Sequence, residues 1–312
     1  MSGAPALGQA RPPGGAPFCA LLPDGRRLRI QHGPIDLIIE AFGAAEEVRR
    51  AYGQARERAQ GLLAALVEEL PVLRRPLGQA FPQVEGPVAQ RMVAACWPYR
   101  DRFITPMAAV AGAVADEVLE AMACGRRLRR AYVNNGGDIA LYLGPDEMLR
   151  AGIVADVTRP EIFGVVEIDA ALPVRGVATS GRSTKGRGGR SFSLGIADSA
   201  TVLAGDAAAA DAAATVVGNA VDLGPGHPAI RRLAARQLDP QSDLGDIPVT
   251  FSVGALGVDE IGAALAQGAA KAEELCASGL IYGAVITLFG HYRVVSHGLD
   301  RRWLRLAETL AA

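Results

Sequence analysis

The chain has 312 residues, half of them apolar and 21% charged, ordinary proportions for a water-soluble folded protein with a sizeable core. Its 32 Lys and Arg balance 33 Asp and Glu, so no bulk field draws it onto nucleic acid or an anionic membrane. The four cysteines, Cys19, Cys96, Cys124 and Cys276, lie far apart with no CxxC pair. That argues against a thiolate metal site or a disulfide scaffold and for a reducing, cytoplasmic location.

Residues 1–16 are rich in Pro and Gly and read as a disordered tail, with no basic start and apolar run of a secretory signal. Cys19 to Leu22 and Arg27 to Ile30 flank Pro23-Asp24-Gly25, a hairpin turn, and Ile35 to Ile39 is a third short strand. From Ala44 to about Leu70 the apolar spacing becomes helical, and after Pro71, Pro76 and Pro82 another helix spans Pro87 to Cys96. Thr105-Pro106 reads as a capped helix start, with Gly125 as the stop. The apolar stretch from Met107 to Met122 is interrupted by Asp116 and Glu117, so no membrane span is expected.

From about Leu128 the period falls to two, giving strands at 131–134, 139–143, 152–157, 163–168, 174–178 and 200–204. An alanine-rich helix from Asp206 to about Ala220 follows, then helices near His227-Pro228 and from Glu260 to Ala277. Ile281 to Leu288 and Tyr292 to Val295 form a closing hairpin. Strands clustered between groups of helices indicate an α+β fold, mostly antiparallel, rather than a doubly wound sheet. Residues 17–312 read as a single domain with two intertwined halves.

Three segments carry candidate chemistry. Asn134-Asn135-Gly136-Gly137-Asp138 joins two strands; it is either a tight hairpin or a place where backbone approaches a ligand, with Asp138 as a carboxylate. Thr179-Ser180-Gly181 ends a strand and opens into a loop holding Arg182, Lys185, Arg187 and Arg190. Such hydroxyls and guanidinium forks suit a phosphate or carboxylate, and a solvated basic loop would look the same. In the alanine-rich helix, Asp211, Thr215 and Asn219 recur every four residues, a polar stripe that is either a solvated face or a magnesium site beside phosphate oxygens. Asp206 is most simply the N-cap. His32, His227, His291 and His297 form no HxxxH or HExxH pattern, and there is no GxSxG elbow.

In this order, Asn134 to Ile139, Ala178 to Gly181 and Ala210-Asp211 to Thr215 resemble the N-x-G-G-D-I, A-T-S-G and A-D-x-x-x-T motifs of the ApbE family of FAD:protein FMN transferases. Thr105 to Gly112 and Ser193 to Asp198 resemble an uncharacterised branch of that superfamily more closely still. The resemblance implies an ApbE-like fold, magnesium on Asp211 and Thr215, and an FAD or FMN site lined by Gly136, Gly137, Asp138, Thr179 and Ser180; Asn135 of the hairpin, Arg190 of the basic loop and Asn219 of the helix stripe are expected beside it. The sequence departs from the transferases after Ser180: their histidine and Asp-Pro-x-Thr-Gly stretch are replaced by Arg190 to Asp198, which speaks against true FMN transfer.

The leading expectation is thus an ApbE-like binder of an anionic small molecule, a flavin or other nucleotide, with magnesium. The alternatives are a cofactor-independent hydrolase or isomerase of a small carboxylated metabolite, with Asp138 or Asp211 as base, and a non-catalytic partner protein. A homodimer is compatible with the apolar content.

Overall fold

The computed structural model describes residues 15–155, 161–182, 192–297, 299 and 303–306. The strands are β1 (Phe18–Leu21), β2 (Leu28–His32), β3 (Ile35–Gly43), β4 (Leu128–Asn135), β5 (Asp138–Leu143), β6 (Met148–Val154), β7 (Ile162–Asp169), β8 (Gly176–Ser180), β9 (Ser199–Ala204), β10 (Ile230–Ala234), β11 (Pro248–Val253), β12 (Gly283–Leu288), β13 (His291–Ser296) and β14 (Leu304–Leu306). The helices are α1 (Ala45–Ala59), α2 (Leu62–Leu73), α3 (Pro87–Cys96), α4 (Val110–Ala123), α5 (Ala207–Ala220), α6 (Ala235–Leu238) and α7 (Val258–Ala277).

Nine strands form one sheet in the order β1-β2-β3-β4-β5-β8-β9-β12-β13, and every neighbouring pair in it is antiparallel. The fold is α+β, as the strand clustering indicates. Period-two alternation sends the two faces of this sheet to different partners. Ala140, Ala178, Val202, Ala204, Ala284 and Ile286 face the helices. Leu141, Val177, Leu203 and Val285 face a smaller sheet of β14, β7 and β6, and Trp303 joins them. The helix-side residues are small over β5, β8 and β9, which lets the alanine-rich α5 lie close to the sheet.

Glycines set that closeness where it is greatest. A Cβ on Gly112 of α4 would stand 2.2 Å from the Ala207 carbonyl oxygen, and one on Gly176 of β8 would stand 1.9 Å from that of Asp206. The head of α5 is therefore wedged between α4 and β8, and neither neighbour tolerates a side chain there.

Three expectations need correction. The long helix from Ala44 to Leu70 is two helices, because Gly61 takes φ 73° and restarts the chain. Thr105 does not cap α4: its hydroxyl donates to Asp243 Oδ2 at 2.5 Å, the first turn (Pro106–Ala109) is a 3-10 helix, and α4 begins at Val110. No helix starts at His227-Pro228. That stretch leads into β10, which pairs with the unforeseen β11, while His227 Nε2 contacts Glu260 Oε1 at 3.0 Å. The supposed tail lies mostly outside the described residues.

Candidate functional site

The hairpin between β4 and β5 is closed by Gly136 and Gly137 at φ 67° and 114°, with Asn135 paired to Asp138. Two positive φ angles in a two-residue loop are what the twist of the flanking strands demands. A Cβ on either glycine would meet nothing within 4 Å, so here glycine serves conformation and not crowding. The Asn134 carbonyl oxygen Oδ1 accepts the Gly137 amide at 2.8 Å. Asn135 is buried; its Nδ2 donates to the Ala111 carbonyl at 3.1 Å, tying the hairpin to the head of α4.

That hairpin sets Asp138 beside the end of β8. Its Oδ1 accepts the Thr179 amide at 3.2 Å, and the Thr179 hydroxyl shares a hydrogen bond with that of Thr201 on β9 at 2.9 Å. Ser180 follows, paired with Ala200. Gly181 then turns the chain at φ 148°, where a Cβ would stand 2.4 Å from the Asp198 carbonyl oxygen.

From above the sheet, α5 supplies the polar stripe. Asp206 is its N-cap, accepting the Ala209 amide at 2.7 Å. Asp211 Oδ2 accepts the Gly112 amide at 3.1 Å, at the head of α4. Thr215 lies one turn on, half-buried, and Asn219 Oδ1 accepts the Leu194 amide at 2.9 Å and the Ser193 hydroxyl at 3.3 Å. The stripe is therefore no solvated face; it points at α4, at the sheet and at the returning chain around Ser193. Arg190, with Lys185 and Arg187, lies outside the described residues.

Electrostatically, Asp138 and Asp211 form a pair. Burial pushes both carboxyls above the usual range, and the negative charge of Asp138 raises Asp211 further, against the pull of the Gly112 and Ala111 amides. Among the described residues, no Arg, Lys or His acts on either carboxyl. Both side chains retain some solvent contact. Two carboxylates repelling each other without a cation are satisfied by a shared proton or by a positive ion. Among the described residues no three His, Cys, Asp or Glu side chains converge as a cation cage. Two carboxylates and a nearby hydroxyl, with positions left for phosphate oxygens and water, is instead the kind of donor set magnesium takes.

A residue that the sequence reading passed over completes the scaffold. Asp116, treated only as an interruption of an apolar run, lies on α4 and accepts the Ala207 and Ala208 amides at 3.0 and 2.8 Å. Its carboxyl is pushed up to about 7, chiefly by burial. The available signal was its position: an Asp inside an otherwise apolar helix needs a buried partner. Asp116 also borders a cleft of about 450 Å3 with Arg91, Tyr142, Arg175 and Asp206. Its arginines are already engaged, Arg175 with the carbonyls of Ala170, Leu172 and Val174 and Arg91 with Glu117. Of the sequence-predicted site residues, none lines it.

A nine-stranded antiparallel sheet with helices on one face, with a glycine hairpin and a Thr-Ser-Gly strand end beneath an alanine-rich helix, has the make-up of an ApbE-like α+β protein. The family described as AbpE bacteria matches residues 19–294, and the chain belongs to it. Among curated proteins it is similar to the UPF0280 protein of Methanothrix thermoacetophila, 42% identical over 135 residues, which is 43% of this chain and 52% of that one. It is similar also to the UPF0280 protein of Methanocella arvoryzae, 36% identical over 165 residues, 53% of this chain and 63% of that one. The matched region spans about half the length of such relatives. Among solved structures, a mutant of the flavin transferase ApbE from Vibrio cholerae aligns over 92% of this chain and 98% of its own at a TM-score of 0.43 and 11% identity. The apo flavinyl transferase ApbE of Pseudomonas stutzeri aligns over 90% and 93% at 0.42 and 13%. Likeness of that degree is too slight for residue roles to be transferred. Among the described residues no helix is long and apolar enough to cross a membrane.

Proposed function

We propose that this protein binds an anionic small molecule, a flavin or another nucleotide, between the Gly136-Gly137-Asp138 hairpin and the Thr179-Ser180 strand end, with magnesium on Asp211 and Thr215. The observation that carries this reading is the Asp138–Asp211 pair: two shielded carboxyls, raised by burial and by mutual repulsion, with no cationic side chain acting on them among the described residues. Family membership supports the ligand class.

In this reading Asp211 and Thr215 hold the ion from one face of α5. Asp138, fixed by the Thr179 amide, faces it from the sheet. The Ser180 hydroxyl and the Thr179-Ser180 backbone meet the phosphates, and Asn135 and Asn219 hold the hairpin and the returning chain in position. Magnesium would neutralise the phosphate charge. Arg190 would add a fixed positive charge as an anion contact; being permanently protonated, it cannot replace a histidine as base. The reading stops at binding; transfer of FMN to a partner protein is not part of it.

Calorimetric titration of FAD, FMN and AMP, each with and without magnesium, tests the site. Magnesium-dependent binding that disappears in Asp211→Asn and Thr215→Val supports it, and identical affinity in those variants overturns it.

One observation favours a second reading. A carboxyl raised well above its usual range, as Asp138 is, suits proton transfer near neutral pH. Turnover of a small carboxylated metabolite without flavin or magnesium, abolished in Asp138→Asn, would establish that reading instead.

A further inference from the structure

Phe289 closes the turn between β12 and β13 with φ 47°, the left-handed region that a residue with a side chain enters at a cost. A dedicated set of contacts keeps it there. Its amide donates to Asp198 Oδ2 at 2.5 Å, and Asp198 Oδ1 accepts from Arg182 Nη2 at 2.8 Å. Arg182 is held in turn by donating Nε to the Ile196 carbonyl at 3.2 Å, and its guanidinium lies over the Phe289 ring, 5.6 Å from the centroid. For all this support the residue remains 42% exposed. An aromatic side chain held in a strained turn by an ion pair, yet left only partly covered, does little for the fold.

Its place in the sheet suggests what it serves. Ser180 pairs with Ala200, and Ala200 pairs with Ile286, so the ends of β8, β9 and β12 lie side by side. Phe289 comes three residues after Ile286, at the same end of the sheet as Gly181 and Arg182. Two strand spacings across the sheet and three residues along β12, roughly 10 Å each, separate the Thr179-Ser180 strand end from it, about 14 Å in all. That is within the span of an extended flavin nucleotide from its phosphates to the far edge of its ring.

We propose that Phe289 is the stacking platform for the planar ring of the ligand, positioned by Asp198 and Arg182. The proposal rests on the site reading above and adds the ring subsite to it. Stacking on an aromatic face with a guanidinium alongside recognises any flat heteroaromatic ring, so it sets the class of ligand as ring-bearing phosphates and not simple anions.

The test uses the full chain with magnesium, titrated with FAD and, separately, with inorganic pyrophosphate. Phe289→Leu should weaken FAD binding about tenfold while leaving pyrophosphate binding unchanged, and Phe289→Tyr should restore FAD. Phe289→Gly relieves the positive φ, so it should melt no lower than the parent and still lose the same affinity for FAD. Equal FAD affinity in parent and Phe289→Leu overturns the platform and leaves the phosphate site standing. Parallel weakening of FAD and pyrophosphate also overturns it, since that marks a purely structural residue. A parent that binds neither FAD, FMN nor AMP overturns the platform and the site reading together.

Discussion

Asp116, on α4, accepts the Ala207 and Ala208 amides at the head of α5 at 3.0 and 2.8 Å, while Asp211, on α5, accepts the Gly112 amide at the head of α4 at 3.1 Å. Each helix thus has N-terminal amides satisfied by a carboxylate from the other; α5 adds its own Asp206 cap, while α4 has no side-chain cap of its own. The exchange fixes the two helices in register against each other. It also fixes Asp211, whose carboxyl feels the charge of Asp138 from the sheet.

Separating the two roles of Asp211 is the first consequence. Asp211→Ala leaves the Gly112 amide without its acceptor and should cost about 1–2 kcal/mol of stability. Asp211→Asn keeps an acceptor and should lie within about 0.5 kcal/mol of the parent, while removing the charge on which cation binding depends. Urea denaturation of the three proteins measures the difference.

The Asp116 carboxyl gives a signed pH dependence. Its folded value, about 7, lies above that of an unfolded aspartate, so the protonated form suits the folded state better. The stability it contributes is complete below the ordinary carboxyl range and is lost as pH rises to about 7. Burial of Asp138 and Asp211 acts with the same sign. Melting temperature should therefore fall from about pH 4 to about pH 7, and Asp116→Asn should flatten part of that slope. A slope identical to that of the parent would contradict the assignment.

Close packing at the head of α5 makes Gly112→Ala severe. The added Cβ would meet the Ala207 backbone at 2.2 Å, and backbone cannot rotate away as a side chain can. A loss of about 3 kcal/mol or more is expected, with the caps on both helices pulled out of reach. Gly136→Ala has open space around it and pays only for its positive φ, roughly 1 kcal/mol. Chemical denaturation of both variants orders them.

Legibility in the sequence followed the range of the interactions. The β4–β5 hairpin, the Asp206 cap and the Asp211, Thr215 and Asn219 stripe were readable because turn chemistry and helical spacing are local. The Thr105 start was misread because a hydroxyl 138 positions away in sequence from its acceptor, Asp243, follows the tertiary contact and not the cap. The strand pair β10 and β11 was missed because Pro248 and the short runs around it carry no clean alternation. Phe289 has no local pattern at all and Asp116 only its place in an apolar run; their partners, Asp198 and Ala207, come from distant segments of chain.

His32 offers a check on burial. It is buried at the end of β2, and among the described residues neither ring nitrogen has a hydrogen-bond partner. Replacing it by Leu removes two unsatisfied polar atoms and should stabilise the protein by about 1 kcal/mol, read as a raised urea midpoint. A loss of that size would mean that the ring makes a polar contact in solution.

The most direct test of the central claim is calorimetric titration of FAD into the purified chain with and without magnesium, repeated on Asp211→Asn. The paired-carboxylate site predicts binding that needs magnesium and vanishes in Asp211→Asn, with that variant still melting as the parent does. FAD binding of equal affinity in both proteins, or indifferent to magnesium, would contradict it.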